Sequence, residues 1–109
     1  MSIRWLLLIV VLAAMVGPSY ADDQSECRSS RPDVSMPACT RIIEAPRSSR
    51  HARISALLSR ASSHLELANA YKALDDVARL LQLDPQSQQG LKLKVEILLQ
   101  LEEHKEAQA

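Results

Sequence analysis

The stretch RISALLSRASSHLELANAYKALDDVARLLQLDP, residues 53–85, decides the fold. From Ile54 to Ala68 the apolar residues are Ile54, Leu57, Leu58, Ala61, Leu65 and Ala68. At 100° per residue they fall in one stripe, with Ser55, Ser59, Ser62, Ser63 and Glu66 on the other side. Asn69 is a break. From Ala70 to Leu83 a second stripe is made by Ala70, Ala73, Leu74, Val77, Ala78, Leu80 and Leu81, and Asp84-Pro85 ends it. Two helices separated by a short break predict an antiparallel hairpin. No alternating run flanked by hairpin turns occurs, so no strand is expected.

Toward the C-terminus, a third helix is predicted from Gln86 to about Glu106. Gly90 is its only weak point. Leu91, Leu93, Val95, Ile97, Leu98, Leu99 and Leu101 spread around it over an arc of roughly 240° at the helical period. Packing on the preceding hairpin covers only part of such an arc, and an uncovered apolar strip marks an interface. Leu93, Ile97 and Leu101 are the candidate apolar docking residues, for a protein partner or for a second copy of the chain. The competing reading is a helix that packs deeper within a four-helix arrangement.

Toward the N-terminus, PRSSRHAR at 46–53 reads as a basic interhelix linker, carrying Arg47, Arg50, His51 and Arg53. It is either solvated or a contact for an anionic group. Before it, Val34, Met36, Ala38, Cys39, Ile42 and Ile43 give a short helix an apolar face. Pro32 suits its first position, Pro37 predicts a late start or a kink, and Pro46 stops it. Residues 22–32, DDQSECRSSRP, are polar and predicted to be extended or loop.

Residues 1–21, MSIRWLLLIVVLAAMVGPSYA, have the plan of a secretory signal peptide. Arg4 precedes an apolar run from Trp5 to Val16; Gly17-Pro18 breaks it; Ser19 and Ala21 supply small residues for cleavage after Ala21. The run is short for a spanning helix, which needs roughly 20 residues. An uncleaved anchor is the alternative. The full chain has 109 residues, with 13 basic and 13 acidic groups. Loss of 1–21 removes Arg4, so 88 residues of net charge −1 remain, with Tyr71 the sole aromatic. That excludes a basic nucleic-acid-binding surface and an aromatic cage. Export and an even thiol count favour a Cys27–Cys39 disulfide over free, redox or zinc-binding thiols.

No catalytic constellation emerges. His51, His64 and His104 lie in separate segments, without an HExxH or an i,i+4 pair. His64, at a stripe edge, reads as a packing residue. Asp75 and Asp76 are adjacent on a helix and so point about 100° apart, a poor geometry for sharing a substrate. Glu102-Glu103 reads as a solvated end, and no loop gathers the oxygens calcium needs. The expectation is a non-enzyme without metal or cofactor.

The stretch from Arg53 to Pro85 resembles a tetratricopeptide repeat. Leu57, Ala61, Ala73 and the Leu83-Asp84-Pro85 ending match the family pattern, while Arg60, His64, Val77 and Leu80 depart from it. Asp33 to Pro46 is similar to a second helix of such a repeat, and Gln88 to Ala107 to a first helix, with Leu91, Val95 and Leu98 in inward slots and too little chain to close another repeat. The chain is also similar to small secreted repeat proteins of Gram-negative bacteria, in which a Cys-containing leader precedes an Ala-Cys-Thr helix. The resemblance implies a right-handed α-solenoid fragment that binds proteins or peptides in a concave groove. Carried over slot by slot, groove positions are Ser55, Leu58, Ser62, Leu65 and Glu66, then Gln89, Lys92, Glu96, Leu99 and Gln100. Only Lys92 fits the family's clamp for a C-terminal carboxylate.

The combined expectation is an all-α protein of about four helices in antiparallel hairpins. A signal peptide at 1–21 and a polar leader at 22–32 precede a helical domain at 33–107. The expected role is a periplasmic or secreted protein-interaction module, free of the membrane after signal cleavage. The alternative is an accessory subunit, inhibitor or chaperone of a periplasmic or membrane enzyme system.

Overall fold

In a computed structural model, residues 20–108 are described, Tyr20 by its backbone only. The predicted signal segment therefore lies outside the described residues except for Tyr20 and Ala21. Among the described residues, five helices follow in order: α1 (Tyr20–Cys27), α2 (Pro32–Glu44), α3 (Arg50–Glu66), α4 (Ala70–Leu83) and α5 (Gln88–Gln108). No strand occurs among the described residues. The fold is all-α.

Each helix packs on the next, and α3 also touches α1 and α5. Cross-helix pairs set the directions. Ser35 meets Ser63 at 3.1 Å and Thr40 meets Arg60 at 3.0 Å, so α2 and α3 are antiparallel. Arg60 meets Asp76 while Arg50 donates to the Leu83 carbonyl, so α3 and α4 are antiparallel. The apolar stripes read from residues 53–85 close onto one another. Ala38, Cys39, Ile42, Ala56, Leu57 and Leu80 form one cluster; Ala61, Ala73, Val77, Leu93 and Ile97 form the second. Leu58 and Leu81 pack against both, joining them into a continuous core.

The polar leader departs from expectation. Tyr20–Cys27 is helical, not extended. Its stability comes from α2. The Cys27–Cys39 disulfide is formed, with Cα atoms 4.7 Å apart. Arg41 donates to Asp23 at 2.9 Å and to Glu26 at 3.3 Å. Asp22 and Asp23 lie in the first turn of α1, where the helix dipole favours anions. Pro37 does not delay α2, which starts with Pro32 and runs through Pro37 to Glu44. One missing N–H is the local cost.

The basic linker also differs. α3 begins at Arg50, capped by the Ser49 hydroxyl, which accepts from the Ala52 amide at 3.0 Å. Two of its arginines serve helix ends. Arg53 donates to the Ala45 carbonyl at 2.9 Å, just past α2, and Arg50 to Leu83, the last residue of α4. Both guanidinium groups satisfy carbonyls that the helices leave open. Between α3 and α4, Ala68 adopts φ 60°, and the Asn69 amide donates back to the His64 carbonyl at 2.8 Å. This is the left-handed helix end usually taken by glycine.

Candidate protein-interaction surface

Gly90 lies on the side of α5 that faces the core. A Cβ at this position would lie 2.7 Å from Leu80 Cδ2, and Leu80 is fully buried on α4. A side chain here would have to push the end of the Leu80 side chain aside, so glycine suits the close approach of α5 to α4. The Ser87 hydroxyl fixes the same turn by accepting from the Gly90 amide at 3.0 Å. Once Gly90 faces inward, the helical period brings Leu93 and Ile97 inward after it, with Leu101 partly covered.

This phase corrects two expectations. Leu93 and Ile97 are not a docking face: both are buried against Ala61, Ala73 and Val77, and Ile97 is 0% exposed. Leu101 packs at the edge of the same cluster. Leu91, Val95 and Leu98 do not take inward slots either. They stand on the opposite side with Leu99, at 45% to 59% exposure. The sequence reading found a surplus of leucine on this helix but assigned it to the wrong side. The missed signal was Gly90, read as a weakness when it is a contact point.

The positions implied as a groove divide between the helices. On α3, Leu58 and Leu65 are half-buried against the core. Ser62 donates its hydroxyl proton to the Leu58 carbonyl at 3.0 Å. Ser55 lines a cavity of about 90 Å³ against Gln24 and Arg28. Leu58, Ser62 and Glu66 border a shallow depression of about 240 Å³ with Arg28, Ser29 and Ser30. The end of α1 and the loop after it thus occupy part of this side of α3. On α5, Gln89, Lys92, Glu96 and Leu99 are exposed. Gln100 approaches α3, its amide nitrogen 3.5 Å from the Leu65 carbonyl.

A polar cluster that the sequence did not signal lies on the other side of the α3–α4 hairpin. Arg60 pairs with Asp76 through two contacts, at 2.8 and 2.6 Å, and donates to Thr40 at 3.0 Å. Asp76 is 3% exposed, and Asp75 beside it is exposed. The pair therefore ties α2, α3 and α4 together. The hydrogen bond from Arg60 to Asp76 raises the arginine pKa further. His64 is buried with Nε2 3.8 Å from Asp76. Burial lowers its pKa, with Asp76 opposing and Arg60 and Lys72 reinforcing the shift. Both Asp76 oxygens contact the Arg60 guanidinium, an arrangement suited to clamping helices.

Among the described residues no group of three or more His, Cys, Asp and Glu side chains is placed to hold a metal ion. Nor is any described helix long and apolar enough to cross a membrane. No protein-family model matches the chain, and no curated protein or solved structure matches it significantly.

Proposed function

We propose that the chain is an exported, non-catalytic helical-repeat module that docks a protein partner on the outer face of α5. One observation carries this reading. Leu91, Val95, Leu98 and Leu99 form an exposed aliphatic strip on a helix whose opposite face is already buried in the core. The repeat reading rests on the resemblance of residues 53–85 to the tetratricopeptide pattern, through Leu57, Ala61, Ala73 and the Leu83-Asp84-Pro85 ending. The closed Cys27–Cys39 bridge supports a periplasmic or secreted location, because such bonds persist in oxidising compartments.

The test is Leu98→Glu. This side chain is about half-exposed, so the fold should tolerate the change. Recovery of a protein partner from the exported fraction should fall several-fold, with an unchanged far-UV circular dichroism spectrum. Equal recovery by wild type and variant would contradict the reading.

A further inference from the structure

The proposed docking surface leaves open what covers it, and the charges around the strip bear on that question. Lys92 and Lys94 lie toward its start, and Glu102 and Glu103 toward its end; all four are exposed. At 100° per residue Lys92 and Glu103 fall within about 20° of each other, on one flank of the strip. Glu102 continues the line of Leu91, Val95 and Leu98 by the same rule.

We infer that the occupant is a second copy of this chain, with the two α5 helices antiparallel across a two-fold axis near Leu98. The inference rests on the docking reading and goes beyond it by naming the partner. A two-fold axis perpendicular to the helices sets each flank against the same flank of the other copy, reversed in direction. Lys92 of one copy then faces Glu103 of the other, and the pair occurs twice. Lys94 and Glu102 likewise lie toward opposite charge. A parallel pairing, with its two-fold axis along the helices, sets opposite flanks together at one height, so Lys92 would face Lys94 of the other copy and Glu102 would face its own copy. Like charges so placed disfavour that arrangement.

The apolar residues fit the same geometry. With the axis near Leu98, the Leu98 side chains of the two copies meet each other, and Leu99 of one copy falls between Val95 and Leu99 of the other. The strip lies about 150° around the helix from the buried row of Gly90, Leu93 and Ile97, so a second copy meets α5 without obstruction from α3 or α4. Strip and flanks together form a surface complementary to itself, as an isologous interface requires.

Sedimentation equilibrium of the chain purified from the exported fraction tests this. The wild type should show twice the chain mass at tens of micromolar, and Leu98→Glu should show the chain mass. The double variant K92E/K94E should weaken the dimer about tenfold or more. Adding E102K/E103K in the same chain should restore it, because antiparallel pairing then regains opposite charges. A wild type at chain mass at 100 micromolar, a dimer that survives Leu98→Glu, or a fourfold variant that is not restored would each overturn the inference. If the wild type is monomeric yet partner recovery still depends on Leu98, the self-pairing is overturned and the docking reading stands.

Discussion

Ala68 is a non-glycine residue in left-handed backbone, at φ 60°. An L side chain there is disfavoured by about 1–2 kcal/mol. Ala68 is exposed, so removing its Cβ sacrifices no core contact. Ala68→Gly should therefore stabilise the fold by about 0.5–1 kcal/mol, read as a higher denaturant midpoint with unchanged slope. A lower midpoint would show that the unfolded-chain entropy of glycine dominates. His64 gives a second expectation at this scale. Its folded pKa is below the usual 6.5, chiefly through burial. On acidification the unfolded chain therefore takes up the proton first. The stability contributed by neutral His64 is complete above about pH 6.5 and is lost as pH falls from there through the folded value. Denaturant titrations at pH 7.5 and pH 5 should show this loss in the wild type and a smaller one in His64→Gln. Equal losses would contradict it. The sequence identified His64 as a packing residue, and the structure buries it. It could not separate Asp75 from Asp76, since two adjacent aspartates differ only in which direction the helix turns them.

At the scale of elements, the stripes of α3 and α4 were legible because each apolar set is narrow and has one choice of buried side. α5 was legible as a helix but not in its phase. Leucines spread around most of its circumference, so periodicity alone left several orientations open, and the approach of Gly90 to Leu80 selects one. α1 was not legible as a helix, since a short polar segment carries no apolar stripe. Its helix rests on tertiary links, the disulfide and the Arg41 pairs, that a local pattern does not contain. The basic run was read as linker because arginine marks solvent more often than a carbonyl cap. The Arg60–Asp76 tie between α3 and α4 allows a direct test. Asp76→Ala leaves the Arg60 guanidinium, largely buried, without its counter-ion and should cost about 3 kcal/mol or more. Arg60→Met with Asp76→Leu should cost much less than the sum of the two single changes, because no charge is stranded. Additive losses in a double-mutant cycle would show that the two residues act independently.

Over the whole molecule, the all-α class and the helical hairpins were legible from amphipathic period and short breaks. The predicted count of about four helices fell short by α1. The Cys27–Cys39 pairing was legible from two thiols in a chain whose first residues have the plan of an export signal, and it fastens α1 to α2. In a domain this small, closing that loop is worth about 3 kcal/mol in the chain-entropy account. The candidate site was legible only in part: the sequence showed the surplus of apolar residues on α5 but named Leu93 and Ile97, which the structure buries, where Leu91, Val95, Leu98 and Leu99 are the exposed ones. The account as a whole places protein contact on the outer face of α5 and structural ties on the α3–α4 side. Site-specific photocrosslinking in the producing cell tests this most directly. A photoreactive residue at Val95 or Leu99 should give a defined covalent adduct with a protein, while the same residue at Lys72 or Arg79 on α4 should give none. Adducts from α4 with none from α5, or equal labelling of both faces, would contradict the account.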